Sequence, residues 1–266
     1  MPVRVVESKQ NSRLKELKRA LAAPGRKGEG LAGLEGPHLV AEAVRAGLRV
    51  ECVFAGRGDE RLLKEIRLPE ATDVLLVPRD VLSAALTTET PQAVAALVEP
   101  PVWTWDDVLG AGNGAALVVV LAGLQDPGNV GTILRSAEAF GATGVVSLPG
   151  TVYEWNPKVV RASAGSVVRM PVMTASAEEA LSKLREAGVR VLTTAARGAR
   201  DVAQSDLRGK VALILGNEGA GVPEELAARS DGAVTIPCPG PVESLNAGVA
   251  ASVLLYEAER QRGAKR

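Results

Sequence analysis

Hydrophobic positions along the chain fall into two series of elements. From Asn11 to Ala22, Leu14, Leu17 and Leu21 recur at helical spacing with basic residues between them, which predicts an amphipathic helix. After a Pro24–Gly30 break the pattern predicts a helix from about Pro37 to Ala46, a strand at Val50–Ala55, a helix near Arg61–Ile66 and a strand at Asp73–Val77. That is a small α/β unit. From Ala116 the βα alternation resumes on apolar runs, with strands expected at Ala116–Ala122, Gly144–Leu148, Val189–Ala195, Val211–Leu215 and Ala233–Ile236. Runs of this kind suit strands covered on both faces, so a parallel α/β sheet is expected. Pro100-Pro101, Trp103, Trp105 and Gly110–Gly114 separate the series and read as a linker of roughly 15 residues, with the two tryptophans packing the domain junction.

Composition narrows the possible partners only locally. The 266 residues suffice for one or two domains. Lys plus Arg and Asp plus Glu are both 31, so bulk charge announces no polyanionic partner. Residues 1–27 nevertheless hold eight basic side chains (Arg4, Lys9, Arg13, Lys15, Lys18, Arg19, Arg26 and Lys27) against Glu7 and Glu16, a net of +6. A phosphate backbone could use that footprint, and a solvated helix face is the plain alternative. Cys52 and Cys238 match no metal-ligand spacing, so no metal is expected. With no apolar signal segment and no run of ~18 apolar residues, the expectation is a soluble, cytoplasmic protein away from membranes. The sole histidine, His38, lies at a predicted helix start, which leaves the C-terminal half without histidine-based acid–base chemistry.

Three junctions in the second series carry candidate chemistry. Leu121–Gly141 (LAGLQDPGNVGTILRSAEAFG) and Val211–Pro223 (VALILGNEGAGVP) each read as a buried strand, a tight turn and a helix start. In Pro237–Ala251 (PCPGPVESLNAGVAA) a proline- and glycine-rich loop runs into a small-residue helix expected to begin at Ser244. In one sheet, these junctions would bring Asn129, Arg135, Glu218, Ser244 and Asn246 towards one edge. Gly123–Val130 has the first glycine spacing of a phosphate-binding loop, yet Asn129 stands where the lysine is needed. Gly216–Gly221 reverses the glycine order of the dinucleotide fingerprint. ATP, GTP and nicotinamide chemistry thus lose their main support.

Together and in this order, the three segments closely resemble the signature motifs of the SpoU/TrmH family of RNA ribose 2′-O-methyltransferases, over about the last 150 residues. The resemblance implies a parallel sheet with a deep C-terminal trefoil knot, whose knotted loops are the segments around Gly216–Val222 and Pro237–Asn246. It implies S-adenosylmethionine as cofactor, held by Gly216, Ile236 and Leu245, with Leu215, Asn217, Gly219 and Pro237 beside them and Thr193 or Thr194 closing another side. By the same resemblance Arg135 is the catalytic arginine, stabilising the alkoxide as a ribose 2′-hydroxyl attacks the sulfonium methyl. Asn129 would orient Arg135 or the substrate, and Glu218 would anchor Arg135 or hold its loop by accepting N–H bonds, while Ser244 and Asn246 position ribose, phosphate or the arginine, or else cap the last helix. Asn156–Gly165 (NPKVVRASAG) also looks SpoU-like, and Lys158 and Arg161 could meet RNA phosphates.

Ser8–Asn11 and Leu34–Val40 (LEGPHLV) resemble the L30e-like substrate-binding domain attached to many SpoU enzymes, which would make residues 1–100 an RNA-binding domain offering Arg13 and Lys15. The expected organisation is therefore 1–100 substrate binding, 101–115 linker and 116–266 catalytic, in a homodimer that modifies ribosomal RNA. Transfer RNA as substrate, and a non-catalytic RNA-binding protein retaining the fold, are the alternatives.

Overall fold

A computed structural model of the chain describes residues 2–22, 30–110 and 114–263, so Arg26, Lys27 and part of the Gly110–Gly114 stretch lie outside the described residues. The chain divides into two compact units, Met1–Val102 with Trp155–Arg169, and Trp103–Glu154 with Met170–Arg266.

The first unit runs β1 (Val3–Val5), α1 (Ser12–Ala22), β2 (Ala32–Glu35), α2 (Pro37–Arg45), β3 (Val50–Gly56), α3 (Arg61–Ile66), β4 (Asp73–Val77), α4 (Arg79–Ser83) and β5 (Val94–Val98). Its five-stranded sheet has the order β1-β4-β3-β5-β2. Strands β1, β4 and β3 are parallel, whereas β5 runs antiparallel to both its neighbours. Asn11 opens α1, its Oδ1 accepting from the Arg13 and Leu14 N–H groups at 3.0 and 3.3 Å. Leu14, Leu17 and Leu21, the stripe seen in the sequence, bury against Phe54, Leu75 and Leu97. Cys52 lies in the same core, where burial pushes its thiol up to about 12. Strands β1, β2 and β5 were not expected. Val-Arg-Val is too short to show a period, Ala-Gly-Leu-Glu has little β propensity, and Val-Ala-Ala-Leu-Val fits a helix segment equally well.

The second unit opens with α5 (Trp105–Leu109), inside the stretch read as linker. Thr104 and Asp107 form a reciprocal capping box, and Trp105 packs on the core of this unit with its Nε1 donating to Glu179 at 3.2 Å. β6 (Leu117–Ala122), α6 (Pro127–Ala139) and β7 (Gly144–Ser147) follow. The chain then leaves for the first unit as α7 (Pro157–Ala162), started by Asn156, whose Oδ1 accepts from the Lys158 N–H at 2.9 Å. In this excursion Trp155, Val159, Val160, Val167 and Val168 are buried and Arg169 pairs with Glu42 of α2. Residues 155–169 thus group with the first unit, a departure from the expected 116–266 domain. The second unit resumes with β8 (Val172–Thr174), α8 (Ala177–Glu186), β9 (Arg190–Thr194), β10 (Arg200–Asp201), β11 (Val211–Gly216), α9 (Glu224–Ala228), β12 (Ala233–Thr235) and α10 (Ala247–Gly263). All its strands are parallel, in the order β10-β12-β9-β11-β6-β7-β8. The central strands β6, β9 and β11 place their C-terminal ends together, which is where open parallel sheets bind ligands.

Candidate active site

At that edge the ends of β9, β11 and β12 and the segment before α10 enclose a cleft of about 630 Å³. Of the residues expected to hold a cofactor, Thr194, Leu215, Gly216, Asn217, Gly219, Ile236 and Leu245 all line it. Pro237 does not. Glu218, Ser244 and Asn246 also face the cleft, so two motifs separated in sequence meet in one cavity.

The loop after β11 is closed by its own backbone. Asn217 and Gly221 exchange both N–H···O bonds at 3.0 and 2.8 Å, folding the chain back against the strand end. A Cβ on Gly216 would overlap the backbone of Gly221 and Val222, so glycine is required here by the turn itself. Asn217 fastens the loop from inside, its Oδ1 accepting from the Gly219 and Ala220 N–H groups at 2.9 and 3.1 Å. Its Nδ2 donates to the Gly123 carbonyl at 2.9 Å, tying this loop to the turn after β6.

That turn leads into α6, where Asp126 accepts from the Gly128 N–H at 2.8 Å and Pro127 occupies the first turn. Asn129 is buried and outside the cleft lining, and its Nδ2 donates to Glu218 at 2.8 Å. The sequence had offered Asn129 as orienting Arg135 or the substrate, and Glu218 as anchoring Arg135 or holding its loop by accepting N–H bonds. The structure pairs them with each other instead. Arg135 is exposed on α6, does not line the cleft, and among the described residues makes no hydrogen bond or ion pair. Its guanidinium is left available to a ligand.

The third junction corrects the expected helix start. α10 begins at Ala247, and Asn246 is its cap, with Oδ1 accepting from the Gly248 and Val249 N–H groups at 3.0 and 3.2 Å. Ser244 is exposed in the loop and caps nothing. The sequence offered capping as the alternative role of both Ser244 and Asn246, with the helix expected to start at Ser244; Asn246 takes that role because it is the residue adjacent to the first turn. The inner face of α10 adds Ala247, Ala250 and Leu254 to the cleft, and Cys238 and Glu243 line it too; these were missed. The i, i+3, i+7 spacing of the first three was the available signal. α10 packs along α6, with Ser136 and Ser252 hydroxyls 2.7 Å apart and the Phe140 and Tyr256 rings edge to face at 5.9 Å.

The cleft suits a nucleoside-sized molecule. Leu215, Val234, Ile236, Leu245 and Leu254 supply apolar walls, Thr194, Asn217 and Ser244 supply polar groups, and among the described residues the Leu245 N–H bonds to no other backbone group. Among the described residues no group of three or more His, Cys, Asp and Glu is arranged to hold a metal ion. Of the expected RNA contacts, Arg13 is partly engaged by Glu16 at 2.9 Å and Glu51 at 3.9 Å, while Lys15 and Arg161 are exposed and unpaired among the described residues. No helix among them is long and apolar enough to cross a membrane.

Comparison with known proteins agrees over both halves of the chain. Residues 116–256 match the SpoU rRNA Methylase family and residues 11–96 the MRM3-like substrate binding domain. The 23S rRNA (guanosine(2553)-2'-O)-methyltransferase RlmP of Bacillus subtilis is 33% identical over 256 residues, covering 94% of this chain and 97% of that protein. The SpoU methyltransferase AviRb of Streptomyces viridochromogenes, solved in complex with the cofactor AdoMet, superposes with a TM-score of 0.85 at 29% identity, covering 97% of this chain and 100% of AviRb. An AdoMet-bound rRNA methyltransferase from Sinorhizobium meliloti gives the same TM-score of 0.85 at 30% identity, covering 97% of this chain and 98% of that one.

Proposed function

We propose a mechanism from one premise: the chain belongs to the SpoU rRNA methylase family. It is an enzyme that uses S-adenosylmethionine to methylate a ribose 2′-hydroxyl of ribosomal RNA. The observation that carries the mechanism is the cleft, where loops after β11 and β12 converge on the C-terminal edge of a parallel sheet. In this reading Gly216, Ile236 and Leu245 bind the cofactor through their backbones, while Leu215, Asn217, Gly219 and Thr194 shape the surrounding walls and Pro237 only stiffens the loop beside Ile236. The bound cofactor supplies an electrophilic methyl on a sulfonium. Arg135, unpaired and exposed, meets the attacking ribose oxygen and stabilises its developing negative charge. A guanidinium holds its proton too tightly to act as a base, so the hydroxyl proton passes to water or an RNA phosphate. The Asn129–Glu218 bond holds the second motif's loop against α6, and Ser244 and Asn246 position the ribose.

The first unit selects the RNA, through Arg13 and Lys15 of α1 and Arg161 of α7. The last helix is read as the closing element of a trefoil knot. In support, the chain leaves β12, lines the same cleft as the Gly216–Val222 loop, and then packs α10 on α6 at another part of the sheet. Val249, Val253 and Tyr256 form an exposed apolar stripe at i, i+4, i+7 along α10, which supports a homodimer through this helix. We read the enzyme as cytoplasmic, a reading that an rRNA substrate supports. The enzyme test is transfer of tritiated methyl from S-adenosylmethionine to unmodified 23S rRNA, followed by nuclease digestion. A labelled 2′-O-methylnucleoside is expected; label on a base, or none, overturns the reading.

A further inference from the structure

The second unit spends most of its arginines on itself. Arg185 and Arg190 donate to the carbonyls of Arg229 and Asp206, Arg208 pairs with Asp206 at 2.8 Å, Arg260 with Glu257 at 2.7 Å, and Arg262 reaches four backbone carbonyls. Among the described residues only Arg135, Arg197, Arg200 and Arg229 of this unit make no side-chain hydrogen bond or ion pair. Two of these four, Arg197 and Arg200, lie on one short segment that begins at the cleft.

That segment leaves the end of β9. Thr194, Ala195 and Ala196 line the cleft, and Arg197 follows immediately. Thr235 Oγ1 donates to the Ala196 carbonyl at 3.1 Å, and Arg200 opens β10, paired in register with Val234. The segment is therefore pinned at both ends. β10 is the edge strand of the sheet, so nothing continues the sheet beyond it. The nearby carboxylates are otherwise placed: Asp201 caps the turn after β10 by accepting from the Ala203 N–H at 2.9 Å, and Glu243 on the cleft wall pairs with neither arginine.

We propose that Arg197 and Arg200 bind backbone phosphates of the RNA beside the nucleotide being methylated, and so position its ribose over the cofactor cleft. The inference rests on the methyltransferase reading. A ribose in the cleft carries a phosphate on each side, and each lies within a few ångströms of the sugar. Fixed cations at the rim are what such a polyanion requires, and an arginine fork suits phosphate oxygens better than a point charge does. Both are positioning residues, since neither touches the reacting atoms.

The test uses the full-length enzyme, tritiated S-adenosylmethionine and transcribed 23S rRNA, with Arg197→Ala, Arg200→Ala, the double variant and Arg229→Ala. Arg229 is also exposed and unpaired but lies after α9, away from the cleft lining. The KM for RNA is expected to rise about fivefold for each rim arginine removed, the scale of an exposed ion contact. The salt dependence of log KM should flatten by about 1.4 in the double variant, from the loss of two phosphate contacts on a single strand. Cofactor affinity by calorimetry should match wild type, and Arg229→Ala should match it throughout. Unchanged KM and salt slope in the double variant overturn the proposal, as does an equal effect in Arg229→Ala. Lost cofactor affinity overturns it too, because the segment would then only shape the cleft. Failure of wild type itself to methylate RNA would instead strike the methyltransferase reading.

Discussion

The two units solve the problem of presenting chemistry in opposite ways. In the second, seven parallel strands deliver their C-terminal ends to one edge, so residues from three distant stretches meet there. In the first, a mixed sheet sends strands both ways, and its exposed cations, such as Lys15 on α1, sit on a helix surface. Parallel order concentrates a reaction at a point; mixed order spreads contacts over a surface. That contrast is in keeping with the division proposed above, methyl transfer by one unit and RNA binding by the other.

Glycines give the sharpest way to break the comparison. Gly216→Ala forces a Cβ into the backbone of Gly221 and Val222, which cannot move without opening the loop. A loss of about 4 kcal/mol or more in stability, or complete loss of cofactor binding, is expected by calorimetry and thermal melting. In the first unit, Gly33→Ala would meet the Leu21 side chain at 2.8 Å, with the Leu21 backbone N farther off at 3.3 Å, and should cost about 1–3 kcal/mol while leaving cofactor affinity intact. Equal penalties would erase the distinction between a site fixed by backbone and a core that can repack.

Arg135→Ala comes next. Removing a charge aimed at the transition state should lower single-turnover methylation by about 10²–10³, with cofactor affinity unchanged. Arg135→Lys should recover little, because an ammonium lacks the planar fork. Near-normal turnover would remove Arg135 from the mechanism and shift the role to Glu218 or Asn246, both of which line the cleft.

The smallest effect belongs to the helix cap. Asn246→Ala should lose about 1 kcal/mol, read as a lowered Tm, and Asn246→Asp should restore it because aspartate caps equally well. Turnover of the aspartate variant should stay low, since a carboxylate cannot donate to ribose or phosphate as an amide does. If rate returns together with Tm, Asn246 is a cap and nothing more.

How much of this was legible differs between the units for a physical reason. Strands β6 and β11 were found within a residue or two because both faces of each are covered and the apolar runs are continuous. The cleft was legible because each motif is contiguous at a strand end. Pairing was not: that Asn129 would meet Glu218 across 89 residues, leaving Arg135 alone, depends on how two loops stack. Nor could the sequence show that Asn217 faces its own loop and the Gly123 carbonyl as well as the cleft. In the first unit, β2 and β5 were hidden because alanine and glycine suit close approach of α1 yet carry no periodic signal.

The excursion of residues 155–169 bears on how such a protein can be rebuilt or inherited. A domain joined to its neighbour at one peptide bond can be exchanged by a single recombination, but this chain passes between its units three times, after Val102, Glu154 and Arg169. Cutting at the first crossing would part Trp155–Arg169 from the unit it groups with and leave it on the other half. A chimaera carrying a foreign N-terminal unit would need a matching α7 segment grafted into the middle of its partner. Changes in substrate preference in this lineage should therefore be recorded as paired substitutions on α2 and around α7, accumulated point by point, more often than as wholesale replacement of the N-terminal half.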